Sequence, residues 1–409
     1  MAVNTPSNLD TELLITTWET EVRMRSLPAD VFDFNSSEAV YSTERDQVTI
    51  PNDIYINLKA PITGSREVVC PIVLPLEGDP TLGVTGDQRT REEKIRTRHA
   101  RFYYNDVSHA VSGQSYGMLA IDKLPYELYE KIGPLLTVYF KEQYGLHRRQ
   151  ALLERFGENI YADTHNVTPE INTNVYVAGL TNAQQPVYTG AAASWANAVG
   201  AALVAAGTGT NATARIRYLQ RLEEWSATEK FIEPLTVEGN ERYVFLCPSN
   251  QATWLKDAQN VGQLGNAFTE YSGLTEYEKM NFPGILGRVG RIYIVEDNRY
   301  PTLTIGGSAG GYTLTAGYFR MGLNDQRDKT ATGRDVGFLL GRGALCEWKA
   351  EDLHYEYERE NYDKIYGKGL FGSWGIQRVE YDTSENPDAT TRTQYGSIVC
   401  IFAKPPAIV

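Results

Sequence analysis

Residues Arg66 to Arg101 constrain this chain more than any other stretch. An apolar arm, VVCPIVLPL (Val68 to Leu76), leads through a turn-rich segment, GDPTLGVTGD (Gly78 to Asp87), into a charged return, QRTREEKIRTRHAR (Gln88 to Arg101). Positions 68, 72, 74 and 76 alternate as in a strand, but Pro71 and Pro75 remove two ladder donors. Proline within sheets is confined to edges, strand starts and bulges. An apolar arm with a charged return is a poor fit to the core of its own domain. It suits a hairpin laid along a neighbouring molecule, with Val69, Ile72, Leu74 and Leu76 as contact residues on the arm and Arg89, Glu92, Glu93 and Arg96 on the return. That pattern points to an assembling protein rather than a self-contained enzyme.

The return carries Arg89, Arg91, Lys94, Arg96, Arg98 and Arg101, interrupted by Glu92 and Glu93 and preceded by Asp87. Mixed charge of this kind sets register and partner choice between subunits better than it grips phosphate. Single exposed pairs are weak, so stabilisation has to come from a repeated network.

Upstream, Asp10 to Arg25 reads as an amphipathic helix with Leu14, Trp18 and Val22 at four-residue spacing, ended by Leu27-Pro28. Ala29 to Ile62 is a long connector with short extended pieces, unusual inside a compact domain. Downstream, Phe102 to Gly113 reads as a strand, and Ile121 to Phe156 holds the longest helical pattern, with Leu128, Ile132, Leu135, Leu136 and Tyr139 in register. Gly133-Pro134 either starts a second helix or bends a single one. The second half, KEQYGLHRRQALLERFG, reads as a helix with its charges on one side.

Residues 162–213, rich in Ala, Gly, Asn and Thr, read as a loosely packed insert. Helical spacing returns at Ile216, Leu219 and Leu222, followed by strand signals at Tyr243–Cys247 and Arg291–Pro301 and a helix start near Asn250. Thr302 to Leu314 is a Gly-rich loop or hairpin. DVGFLLGRGALCEWKA, GIQRVEYD and YGSIVCIFAKP complete a mixed α+β pattern without internal repeat.

At 409 residues the chain exceeds a single ordinary core. A net charge of −12 argues against a dedicated nucleic-acid binder, though not against a container wall that faces nucleic acid. The aromatic content rests on 26 Tyr and 6 Trp against 13 Phe. Aromatics with a polar end suit half-buried interfaces, although Tyr-rich β proteins are also common. Cys70, Cys247, Cys346 and Cys400 form no CxxC pair and read as reduced small hydrophobes. No signal peptide and no run of about 20 apolar residues is present, so the expectation is a cytoplasmic origin and no membrane partner. The N-x-S/T sequons at Asn35, Asn166 and Asn211 are then chance matches.

Chemistry-bearing motifs are missing: no phosphate loop, no strand–GxGxxG–helix unit, no HExxH and no nucleophile elbow. The acidic run ENIYADTHNVTPE lacks a calcium-loop pattern and reads as a solvated loop. LHYEYERENYDKIYGKG alternates Tyr with charge and reads as a half-exposed strand rather than a stacking face for bases or sugars. No catalytic residue, cofactor or metal ligand is expected.

Several segments, in order, resemble the major capsid proteins of tailed phages with the Hong Kong 97 fold, and in particular the N-four-like podophage family. PLEGDPTLGVTGDQRTREEKIR is similar to the family's segment ending in GVTGD with a Glu-Glu-containing return. NDVSHAV, RLEEWSATEKFIEPLTVEGNERYVFLCPSNQATWLKD, NFPGILGRVGRIYIVEDNRYP and the last hydrophobic strand follow with matching spacing. The resemblance implies an N-terminal arm over 1–63 and an extended loop over 64–108. It implies a peripheral domain over 109–164 and 326–409 with a spine helix near 124–160, and an axial domain over 165–325. It implies self-assembly into hexamers and pentamers of an icosahedral virion head around double-stranded DNA, built in the bacterial host cytoplasm. Separate scaffolding and portal proteins, and in some heads a decoration protein, are the implied partners. Burial per subunit should exceed about 2,000 Å². Residues 186–211 and 302–334 correspond to variable loops. Two rivals remain on the residues alone: another virion part, such as a tail or decoration protein, and an intracellular glycoside hydrolase, which would need two paired carboxylates that no motif supplies.

Overall fold

Two main sheets share one core in the computed structural model of this chain. The structure describes residues 31–34, 36–40, 52–59, 67–73, 97–112, 128–153, 174–185, 202, 205–206, 216–228, 232–256, 268–270, 273–282, 284–297, 302–303, 306–308, 311–313, 319–320, 334–360, 365–382, 392–394 and 396–403. The expected helix bearing Leu14, Trp18 and Val22 lies outside these residues. So do Leu74, Leu76, Arg89, Glu92, Glu93 and Arg96.

In chain order, α1 (Val31–Phe34) precedes β1 (Ser36–Val40), β2 (Tyr55–Lys59), β3 (Glu67–Val73), β4 (Thr97–Tyr103) and β5 (Asn105–Ser112). The long helix α2 (Leu128–Leu153) follows, then β6 (Val175–Val177), α3 (Ile216–Thr228), β7 (Leu235–Val237), β8 (Asn240–Cys247), α4 (Ser249–Lys256), β9 (Phe268–Glu270), α5 (Glu276–Asn281), β10 (Ile285–Val289) and β11 (Ile292–Glu296). Four short strands come next, β12 (Thr302–Leu303), β13 (Gly306–Ser308), β14 (Gly311–Thr313) and β15 (Phe319–Arg320). The last elements are β16 (Arg334–Leu340), β17 (Leu345–Glu360), β18 (Ile365–Arg378), β19 (Glu380–Asp382), β20 (Arg392–Gln394) and β21 (Ser397–Ala403).

The first sheet has the order β1-β2-β17-β18-β5, in which β17 and β18 form a long antiparallel hairpin. Tyr55 and Trp374 of this sheet lie in the same core cluster as Leu136 and Phe140 of α2. Its other face (Ile56, Leu58, Cys346, Trp348) clusters with Ala100 and Phe102 of β4. The second sheet runs β15-β12-β16-β8-β11-β10-β9, with β21 and then β6 continuing from β16. Its central strand β8 is buried on both faces. Tyr243, Phe245 and Cys247 cluster with Leu219 and Leu222 of α3, while Val244 and Leu246 join the core that reaches α2. Each such apolar side chain contributes about 1.5–3 kcal/mol, which is why YVFLC reads as a continuous apolar run rather than an alternating one.

The chain passes from one sheet to the other through Gly341-Arg342-Gly343-Ala344. Four N–H groups along this crossing donate to carbonyls far away in the chain. Gly341 donates to the carbonyl of Gly396, Arg342 to Glu233, and Gly343 to Asp53, all within 2.9 Å, and Leu345 donates to Ile54. Gly343 has φ +62°, and a Cβ at Gly341 would lie 2.3 Å from the Glu233 carbonyl oxygen. Both glycines are therefore required by geometry.

One sequence reading changes here. Residues 174–180, read as part of a loose insert, contain a buried strand, and Val175, Tyr176, Val177 and Ala178 are all fully covered. Even Ala202 of the Ala-rich stretch packs on the core. β16 and β21 pair within the sheet of β8 and β11, while β17 and β18 belong to the other sheet. Of the two readings of Gly133-Pro134, the single helix holds, since α2 runs unbroken through Pro134. The charged side chains near its end, His147, Arg148 and Arg149, are all buried.

Candidate assembly surface

β3 and β4 pair antiparallel as a ribbon hydrogen-bonded to neither main sheet. Its base is anchored, since Ala100 and Phe102 sit under Trp348, Cys346 and Val379, with Val68 packed against them. Pro71 faces His99 in the register, so its missing N–H falls in a two-stranded ribbon with an open edge, where proline is tolerated. Val69 pairs with Arg101 and Ile72 with Arg98. Leu74, Leu76 and the four candidate residues of the return fall beyond the described part of the ribbon.

A second surface was not foreseen. The exposed large hydrophobics among the described residues are Val111, Leu135, Tyr139, Leu353 and Tyr355. Three of them, Leu135, Tyr139 and Tyr355, lie at the first half of α2. Leu135 and Tyr139 are one turn apart, and Tyr139 stacks on His109 of β5 at 4.4 Å. His109 pairs through Leu370 with Tyr355. The Tyr355 hydroxyl in turn bonds the Gly133 carbonyl. The sequence signal was present in the heptad-like set that includes Leu135 and Tyr139, but periodicity does not say which members of a wide stripe face the core. Leu136 and Phe140 do.

The second half of α2 is held by ion pairs. Arg149 donates from Nε to Asp297 Oδ2 at 2.6 Å and from Nη1 to the Gly145 carbonyl. Arg148 bonds Asp33 at 2.7 Å and lies over the rings of Tyr55 and Tyr144, about 4.5 Å from each. Arg378 donates to Glu380 from Nε and Nη2 and reaches the Leu152 carbonyl from Nη1. These contacts tie α2 to α1, to the end of β11 and to the end of β18.

Beside Arg148 the elements β1, β2, α2 and β17 enclose a cleft of about 520 Å³. Tyr55 donates its hydroxyl to Glu347 Oε2 at 2.7 Å inside it. Burial, reinforced by Glu347, pushes the Tyr55 and Tyr144 hydroxyls well above the usual phenol range, so both remain neutral donors. Cys247, Cys346 and Cys400 are free and buried, as read from their spacing. Among the described residues no cluster of His, Cys, Asp or Glu is arranged to hold a metal ion, and no helix is long and apolar enough to cross a membrane.

No family model matches the sequence, and no curated protein matches it. Solved structures do. The capsid chain of Ralstonia phage GP4 superposes with a TM-score of 0.61 at 15% identity, over 94% of this chain and 95% of that one. The acid-stable capsid of Helicobacter pylori bacteriophage KHP30 gives a TM-score of 0.57 at 12% identity, with 92% of each chain covered. The capsid of cyanophage Pam1 gives 0.55 at 15% identity, over 87% and 90%. This chain has the fold of these phage capsid proteins, the fold that the ordered sequence motifs resemble.

Proposed function

We propose that this chain is a phage major capsid protein that self-assembles into hexamers and pentamers of an icosahedral head enclosing double-stranded DNA. The observation that carries the reading is the end-to-end likeness to the Ralstonia phage GP4 capsid chain, in which almost nothing of either chain is left over. In this reading α2 is the spine helix, the second sheet belongs to the axial domain, and the β3–β4 ribbon is the stem of a loop that crosses onto a neighbouring subunit. The motifs around GVTGD draw the chain towards the N-four-like podophages within this class. A separate scaffolding protein and a portal are its assembly partners, a decoration protein is compatible with it, and the virion is its location.

Two surfaces support this reading. A ribbon that joins neither sheet is poorly explained in a lone subunit, and the apolar patch around Leu135 and Tyr139 offers a second copy a surface to cover. The net charge of −12 suits a wall that faces DNA without gripping it. Negative-stain electron microscopy of the protein expressed alone, and again with the scaffolding gene of its phage, tests the proposal. Shells, tubes or capsomer rings are expected. A monomer under both conditions would overturn it.

A further inference from the structure

The cleft beside α2 is lined by five carboxylates, Asp33, Glu38, Glu347, Glu351 and Asp352, against two cations, Arg148 and Lys349. Both cations are already engaged, Arg148 by Asp33 and Lys349 by Asp352. Glu347 is 5% exposed, and its Oε2 accepts the Tyr55 hydroxyl. Its Oε1 is buried with no hydrogen-bond donor. Buried carboxylate oxygens in native proteins almost always have one. The strand that carries it is also irregular. The β17–β18 register shifts between Lys349 and Glu351 and again between Glu351 and His354, and such irregularities re-aim side chains at a strand's rim. Here they turn the rim of the cleft.

This lining repels an anion, and its apolar part, Leu58 with the rings of Tyr55 and Tyr144, suits the methylene stem of a cationic side chain. It fits one long cationic side chain. The charged run from Gln88 to Arg101 holds Arg89, Arg91, Lys94, Arg96, Arg98 and Arg101 against only Glu92 and Glu93. We propose that the cleft receives a guanidinium or ammonium group from this run of a second copy of the chain, with Glu347 as its buried counter-charge. The inference rests on the capsid reading and names one contact by which neighbouring subunits would recognise each other. A charge-assisted bond to a carboxylate screened from solvent is stronger than a neutral one and discriminates against wrongly seated partners.

The test compares the full-length protein with Glu347→Gln, which keeps an acceptor for Tyr55 while removing the charge, and with six single Arg→Gln or Lys→Gln variants across the run. Each is assembled over a subunit-concentration series and followed by light scattering and electron microscopy. Thermal unfolding of the unassembled subunit reports the fold. The expected result is that Glu347→Gln melts as the wild type does but requires about tenfold more subunit for half-assembly, close to 1.4 kcal/mol. One of the six cation variants should match it, and the double variant should lose nothing further. Assembly of Glu347→Gln at the wild-type concentration overturns the proposal. A lowered melting temperature with unchanged assembly also overturns it, because the partner would then be internal, as do penalties that add for all six cations. If the wild type assembles and Glu347→Gln is silent, only the cleft proposal falls. If the wild type never assembles, even with its scaffold, the capsid reading falls and takes this contact with it.

Discussion

The Tyr355 hydroxyl donates to the carbonyl of Gly133 at 2.9 Å, joining the far end of the β17–β18 hairpin to the residue just before the proline in α2. Thr137 reaches the same carbonyl from one turn on, at 3.1 Å. A proline inside a helix costs about 3 kcal/mol through a lost bond and a clash, yet α2 is continuous across Pro134. The hairpin braces the helix where it is weakest. Gly133 has no Cβ to meet the Lys368 ammonium, which would sit 2.6 Å from it and which lies over the Tyr355 ring.

Replacing Tyr355 with Phe removes that brace and the hydroxyl's contact with Thr137 Oγ1. A net loss of about 0.5–1.5 kcal/mol per hydrogen bond is expected, towards the low end because Tyr355 is partly exposed. The more specific expectation is local. Amide exchange in the first two turns of α2 should quicken while the second half stays protected. Uniformly faster exchange along the whole helix would contradict the bracing role.

The buried pair Arg378–Glu380 gives a larger effect of a different kind. Arg378 is 2% exposed and Glu380 4%. Arg378→Met strands a carboxylate in the core and is expected to cost about 3–5 kcal/mol. Adding Glu380→Leu should recover most of that loss, since two apolar side chains of similar volume often replace a buried pair at little cost. Chemical denaturation of the two variants checks the pattern. A double variant no more stable than the single one would mean that the pair positions something besides itself.

What the sequence concealed was mainly long-range pairing. The strands around Tyr243 and Ile292 and the helix at Ile216 were legible because apolar runs and helical spacing are local signals. The sequence puts the charges around His147-Arg148-Arg149 on one side of a helix but does not show their partners, because Asp33 and Asp297 come from 115 and 148 positions away. No window of sequence contains that information. The three-residue strand at Val175 is too short to show a period, and it is buried by distant elements: it pairs with β21, Tyr176 packs with α3, and Val175 and Val177 join the core that reaches α2. The ribbon announced itself through Pro71 and its charged return, but the apolar patch at Leu135 and Tyr139 did not, because a helix with two apolar neighbours per turn shows a stripe without showing its edges.

His147 makes the fold sensitive to acid. It is buried with no hydrogen-bond partner at Nδ1, and burial pushes its pKa down to about 4. The unfolded chain, with an ordinary value near 6.5, binds more protons than the folded one between those limits, so stability rises with pH across that window. Above pH 6.5 the group contributes nothing. Below it stability falls, by roughly 3 kcal/mol once pH drops under 4. His147→Leu should flatten the melting temperature between pH 4 and 6.5 and leave it nearly unchanged at pH 8. An unchanged slope would place the acid sensitivity elsewhere.

The two assembly surfaces can be separated from the fold by charge. Tyr139→Lys, on the exposed side of α2, should change subunit stability by no more than about 0.5 kcal/mol, as surface substitutions do, apart from the loss of stacking on His109. Leu74→Asp combined with Leu76→Asp should likewise leave a folded subunit, because the apolar arm is proposed to be covered by a neighbour rather than by its own core. Each variant is expected to abolish or strongly reduce shells in electron microscopy while the circular dichroism spectrum and melting transition of the subunit stay close to wild type. Normal shells from the arm variant would remove the ribbon from the assembly mechanism. Unfolded subunit from either would move that surface into the core.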